Sequence, residues 1–169
     1  MVWDYETDKI MSNIDVNYSL GSEFFNCNEL LSFDSFIGNT TIVQQIPIPQ
    51  DWFIFSTYIS PEDPSMSTIF DSVSENLIIV KSYDGNVYWP LFNINSIGDI
   101  ENGQGYYSKM SQEDTLEIVG NQISSNFPIS MPGDWFITGY LHPSPADAEF
   151  MMSPIVDDLD IVKSYDGNV

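Results

Sequence analysis

With 169 residues, 43% apolar and 14% aromatic, the chain has the length and composition of one or two domains with a buried core, not those of a disordered tail. Its 25 Asp and Glu stand against 4 Lys and no Arg, a formal charge of −21. A surface of that sign repels phosphate backbones and anionic headgroups, so no nucleic acid and no membrane insertion are expected, and no run approaches the roughly eighteen apolar residues of a membrane span.

The acids are spread along the chain, as in a solvated acidic surface suited to a salty medium, where counterions relieve self-repulsion. A sharper reading has some of them binding a divalent cation. The lone Cys27 excludes an internal disulfide and a cysteine-based zinc site, and reads as a small buried apolar residue. Residues 1–9 (MVWDYETDK) show no basic stretch leading into an apolar one, so no signal peptide is expected in this chain.

An internal repeat organises the rest. Residues 79–87 read IVKSYDGNV, and residues 161–169 read the same, 82 positions later. Upstream, DWFI at 51–54 recurs at 134–137 with an offset of 83, so the second copy has lost one residue near Thr138. Nine identical residues in register exclude coincidence. The second copy lacks counterparts for everything from Tyr88 to about Phe127. The first 45 residues have about that length, and the same offset sets Gly21 on Gly103, Phe24 and Phe25 on Tyr106 and Tyr107, Gly38 on Gly120 and Asn13 on Asn95. The expected organisation is a complete module at 46–127 and the first half of a second at 128–169, completed by 1–45. That completion would occur within a monomer or in a strand-exchanged dimer.

In chain order, residues 52–59 (WFIFSTYI) form a nearly continuous apolar and β-branched run, which predicts a strand buried on both faces with Trp52 in the core. Residues 60–64 (SPEDP) offer N-cap candidates, first-turn prolines and acids that suit a helix dipole. Met66, Ile69, Phe70, Val73 and Leu77 follow at helical spacing. The second copy keeps that spacing with Ala148, Met151, Met152, Ile155 and Leu159, although Pro154 should shorten its helix. Residues 77–80 (LIIV) predict another buried strand, and strand, crossover and strand together predict a right-handed βαβ unit. Tyr83, Asp84, Gly85 and Asn86 signal a hairpin turn into 87–89 (VYW). After the Gly- and Asn-rich stretch 93–105, residues 106–110 and 116–119 predict closing strands. The fold class expected is α+β, dominated by β, in two pseudo-equivalent modules.

Asp51-Trp52, Ile69-Phe70, Tyr83-Asp84-Gly85 and Gly103-Gln104-Gly105-Tyr106 with Lys109 carry a resemblance. Their order resembles a tandem-repeat module of large secreted or surface proteins of marine Bacteroidetes. That module runs from a Gly-Trp strand through a helix and a Tyr-Asp-Gly hairpin to a Gly-x-Gly-Tyr strand ending in Lys. The match spans about 46–119 fully and 131–169 in part, with Asp51 in place of the usual Gly. The resemblance implies an accessory, extracellular role as part of a longer protein and nothing catalytic.

The chemistry-bearing candidates are few. His142 sits alone in the loop after the second DWFI and reads as a solvated side chain, since no nucleophile motif accompanies it. Gly103-Gln104-Gly105 is too short for a dinucleotide fingerprint and reads as a tight turn before a strand. Asp84, Asn86, Asp99 and Glu101 present hard oxygen ligands on loops, so calcium is the one cofactor to consider. Asp-Gly in a hairpin is already explained by the positive φ its turn demands. Tyr88, Trp89 and Tyr107 are candidates for a sugar-stacking platform, and adjacent Tyr88 and Trp89 must face opposite ways on a strand. Lys81 and Lys163 are equivalent and read as a repeated ion pair with neighbouring acids. The expected function is non-enzymatic: a surface or adhesion-type module recognising glycan or protein. A purely structural spacer or phage-fibre module comes second, and a carboxylate-based glycoside hydrolase third.

Overall fold

The computed structural model describes residues 41–166, together with the backbone of β1 (Trp3–Asp4) and β2 (Lys9–Ile10), an antiparallel pair within a separate unit. Asn13, Gly21, Phe24, Phe25, Cys27 and Gly38, on which the completing role of 1–45 rests, lie outside the described residues.

From residue 42 the chain forms β3 (Ile42–Ile48), β4 (Asp51–Ser56), β5 (Ile59–Pro61), α1 (Met66–Ile69), β6 (Leu77–Lys81), β7 (Val87–Trp89), β8 (Ile94–Asn95), β9 (Gly105–Met110), β10 (Asp114–Gln122) and α2 (Ala148–Met152). The strands make two antiparallel sheets, one in the order β3-β10-β5 and one in the order β4-β9-β6-β7-β8. The architecture is β-dominated, as expected.

Period-two patterning builds the first sheet. Ile42, Gln44, Ile46 and Ile48 of β3 turn inward against Leu116 and Ile118 of β10. Phe55, Val80, Tyr106 and Met110 of the second sheet and Met66, Ile69, Phe70 and Val73 from the crossover complete one core. β3 crosses the boundary expected between 45 and 46, so residues 42–45 belong to the sheet of the complete module.

Three sequence expectations need correction. The run 52–59 is two strands: it breaks at Thr57, and β4 and β5 enter different sheets. Buried Thr57 fixes that corner, its hydroxyl donating to Gln44 at 2.7 Å and accepting from the N–H of Ile59 at 2.9 Å. Trp52 is not core either, but 38% exposed on the outer face of β4. The helix is shorter than its apolar spacing suggested: α1 has four residues, a 3-10 turn follows at Asp71–Val73, and Leu77 already belongs to β6. Ser and Thr side chains compete for the backbone here, as where the Ser74 hydroxyl donates to the carbonyl of Asp71 at 2.8 Å. Ser60 and Pro61 lie in β5, and it is Asp63 that braces the helix start, accepting from Ser65 N–H and the Thr68 hydroxyl.

The crossover from β4 to β6 also differs from a simple βαβ unit. Both strands run antiparallel to β9, which lies between them, so they are parallel to each other without being neighbours. The predicted hairpin is present: Lys81 faces Val87, Ser82 N–H donates to the Asn86 carbonyl at 3.0 Å, and Gly85 takes a φ of +91°.

In the second copy, α2 ends before Pro154 and continues as a 3-10 turn over Ser153–Asp158, the shortening expected of that proline. The second DWFI and residues 161–164 do not form strands. Instead, Gly105 N–H donates to the Ile137 carbonyl at 2.7 Å and Gly139 N–H to the Gly103 carbonyl at 2.8 Å, so 137–139 runs beside the start of β9. A Cβ on Gly105 would lie 2.7 Å from Ile137 Cγ2 and 3.0 Å from the Thr138 carbonyl oxygen, so the Gly-x-Gly of the first copy serves close approach of 137–139 as well as a turn. Asp51 and Asp134, equivalent in the repeat, both adopt positive φ, +75° and +87°. This is a conformation that favours glycine.

Tyr106 is fully buried, and burial pushes its hydroxyl up to about 12, although the Glu101 N–H that donates to it at 2.8 Å pulls the other way. Because its folded value lies above the ordinary 10.0, the stability owed to the neutral phenol is complete below pH 10 and lost between pH 10 and 12. That loss should amount to about 3 kcal/mol. Urea midpoints measured from pH 9 to 12 should show it, and Tyr106→Phe should flatten that part of the curve. An unchanged slope in the variant would assign the alkaline loss to other groups.

Candidate functional surfaces

The outer face of the five-stranded sheet follows from register. Trp52 pairs with Lys109, Ile54 with Tyr107, Tyr107 with Lys81 and Lys81 with Val87, so these side chains and Trp89 share one face. Lys81 Nζ stands 5.0 Å and Lys109 Nζ 5.3 Å from the centre of the Trp52 ring, with Tyr107 edge-on at 6.3 Å. In the second copy Lys163 Nζ stands 5.3 Å from Trp135. Three of the four lysines are thus placed over tryptophans. The repeated lysine is therefore a repeated cation–π contact, not the expected ion pair. Among the described residues the ion pair is Lys109 with Asp51, at 3.4 Å.

The three aromatic candidates do not form one platform. Tyr88 turns to the core against Phe70, at 6.3 Å between ring centres, while Trp89 faces the opposite side and meets Phe92 edge-on at 4.5 Å. The indole N–H of Trp89 is buried, and Tyr107, two strands from Trp89, is engaged with Trp52 of the adjacent β4.

The four oxygen-ligand candidates lie on two separate turns. The Asp84 carboxylate accepts from the Ser82 hydroxyl, from Asn86 N–H at 3.3 Å and from the Asn86 side-chain amide at 2.7 Å. The Ser82 hydroxyl foremost holds this carboxyl below its usual range. Asp84 and Asn86 thus satisfy each other within the hairpin. Asp99 and Glu101 belong to the loop before β9, tied to the start of α1 by Ile100 N–H to the Pro64 carbonyl and Met66 N–H to the Gly98 carbonyl. Among the described residues no three acidic, histidine or cysteine side chains converge as a cation cage requires.

The arrangement that sequence reasoning missed is an open groove lined by Gln44, Gln45, Ser56, Tyr58, Tyr140, His142 and the Pro143–Pro145 stretch. The side-chain oxygen of Gln44, Oε1, accepts from the Thr57 hydroxyl at 2.7 Å and the Tyr58 N–H at 3.2 Å, which fixes this side chain. Tyr140 is held by its backbone N–H to the Ser56 hydroxyl at 3.0 Å and by its own hydroxyl to the Ser144 carbonyl at 2.6 Å. His142 is half-buried, its ring 5.5 Å from Tyr140. None of the lining residues is acidic. A second depression, at the β4 and β9 ends, is lined by Asp51, Lys109 and Ser111 among others and holds a single carboxylate. The signal for the groove was in the sequence: at the offset of 82, Tyr58 aligns with Tyr140 and Pro61 with Pro143.

No protein-family model, no curated protein and no solved structure matches this chain. Among the described residues no helix is long and apolar enough to cross a membrane.

Proposed function

We propose that the chain is a non-catalytic surface module of a longer extracellular protein, binding a glycan along the groove between Tyr58 and Tyr140. The observation that carries this reading is the composition of the groove: two tyrosine rings, a histidine and two glutamines, with a single carboxylate beside it among the described residues, that of Glu117, which accepts from the Gln45 side chain at 2.7 Å. Aromatic faces stack on the apolar faces of sugar rings, and amides pair with hydroxyls, whereas acid–base glycoside hydrolysis requires two acids across a cleft. A net charge of −21 favours a neutral saccharide over a uronate or sulfated one. The likeness to the surface-protein module of marine Bacteroidetes supports the same reading.

Affinity electrophoresis of the whole chain through gels containing neutral or uronate polysaccharide tests it. Retardation is expected with a neutral polysaccharide. Tyr140→Ala should weaken it by roughly tenfold, the effect of one lost stacking contact. Trp135→Ala, outside the groove, should leave it unchanged. Migration indifferent to every polysaccharide, or retardation untouched by Tyr140→Ala, would sink the proposal.

A further inference from the structure

We infer that copies of this repeat pair face to face about a local twofold axis, the DWFI phenylalanine of one copy packing on the IVKSYDGNV tyrosine of the other. Phe53 and Phe136 are equivalent positions of the two DWFI segments, and Tyr83 and Tyr165 are equivalent positions of the two IVKSYDGNV segments. Phe53 of the first copy meets Tyr165 of the second, with ring centres 4.9 Å apart and planes at 62°. Phe136 of the second copy meets Tyr83 of the first, at 4.7 Å and 69°. When residue i of one unit contacts j of the other, and j contacts i in return, the contact is isologous, the signature of a twofold relation.

The two copies share three local features at this contact, although only the first forms strands there. The left-handed Asp51 and Asp134 stand two residues before the phenylalanines. The Ser82–Asp84 and Ser164–Asp166 hydroxyl–carboxylate bonds shape the turn beside each tyrosine. Lys81 over Trp52 and Lys163 over Trp135 set the same cation–π contact in each copy. The equivalent residues Tyr58 and Tyr140 also line one groove. The partner this face fits is therefore another copy of the repeat. An isologous contact closes on itself, so repeats would group in pairs rather than stack head to tail without limit.

Two double-mutant cycles on the whole chain test the reciprocity: Phe53→Leu with Tyr165→Ala, and Phe136→Leu with Tyr83→Ala. Leucine keeps apolar bulk at both phenylalanines, so that the variants fold. Unfolding in urea should be non-additive in both cycles and to a similar degree. Tyr83→Ala and Tyr165→Ala should each raise the rate of protease cleavage within 128–166 several-fold. Additive effects in either cycle would overturn the inference. A second experiment addresses the partner. A chain carrying Phe136→Ala and Tyr165→Ala keeps Phe53 and Tyr83 but removes their intramolecular mates. In salt sufficient to screen the net charge, sedimentation should show it self-associating more than the parent chain, with Tyr83→Ala abolishing the gain. Association no greater than the parent's would overturn the twofold pairing.

Discussion

Phe70→Ala is expected to cost about 3–5 kcal/mol. Phe70 is fully buried at the C-cap of α1, edge-on to Phe55 of β4 at 5.5 Å and beside Tyr88 of β7 at 6.3 Å. It joins the crossover to two strands of the five-stranded sheet, and the surrounding core, with Met66, Val80, Leu116 and Ile118 almost wholly buried, leaves little slack to close the cavity. Since domains of this size are stable by only about 5–15 kcal/mol, the variant should lie near its unfolding threshold. Trp52→Ala, removing the larger ring, should cost only about 1–2 kcal/mol, because that ring sits on the outer face and gives up cation–π and edge contacts in water. Urea unfolding of the two variants side by side decides the matter. If Trp52→Ala proves as damaging as Phe70→Ala, Trp52 is a core residue after all.

Gly120→Ala is the second substitution with a large expected effect, about 2–3 kcal/mol for a single added methyl group. A Cβ at Gly120 would collide with the Ser60 carbonyl oxygen and stand 2.7 Å from Pro61 Cα, and these are backbone atoms that cannot swing aside. They belong to β5, whose pairing with β10 runs Gly120–Pro61, Asn121–Ser60 and Gln122–Ile59. Relief of the collision means separating the strands. The Ile123 N–H, which donates to the Tyr58 carbonyl at 2.8 Å beyond that pairing, should then exchange with solvent far faster. Gly133→Ala is the control, since a Cβ there meets nothing within 4 Å. Equal effects at the two glycines would show that the β10–β5 contact is looser than described.

The legible parts of this fold are those where one local rule acts alone. The closing strands at 106–110 and 116–119, the Asp-Gly turn between β6 and β7, and the stop imposed by Pro154 each follow from a few adjacent residues, whereas β3 went unread. What the sequence left open was decided between distant segments. The run 52–59 is apolar and β-branched but for Ser56, and Thr57 turns the chain because the side-chain oxygen of Gln44, thirteen residues earlier, accepts a hydrogen bond from its hydroxyl. The insertion of β9 between β4 and β6 could not be read from a strand–helix–strand pattern, because that pattern says nothing about a strand arriving later in the chain. The site was less legible than the fold. Tyr88, Trp89 and Tyr107 were singled out as aromatic, but register sends Tyr88 inward and leaves Trp89 and Tyr107 with partners of their own. Tyr58 and Tyr140 looked unremarkable one at a time, and only their equivalence in the repeat marks them.

The place of β9 between two earlier strands has a consequence for how such a chain is made. During synthesis β4 and β6 emerge first, and the slot between them cannot be filled until residues 105–110 leave the ribosome. Long-range closure of this kind is slow, and the unpaired strand edges meanwhile accept any antiparallel strand of suitable pattern. In an array of near-identical repeats the competitor is the corresponding strand of a neighbour, so faithful assembly depends on each copy closing before the next one competes for its slot.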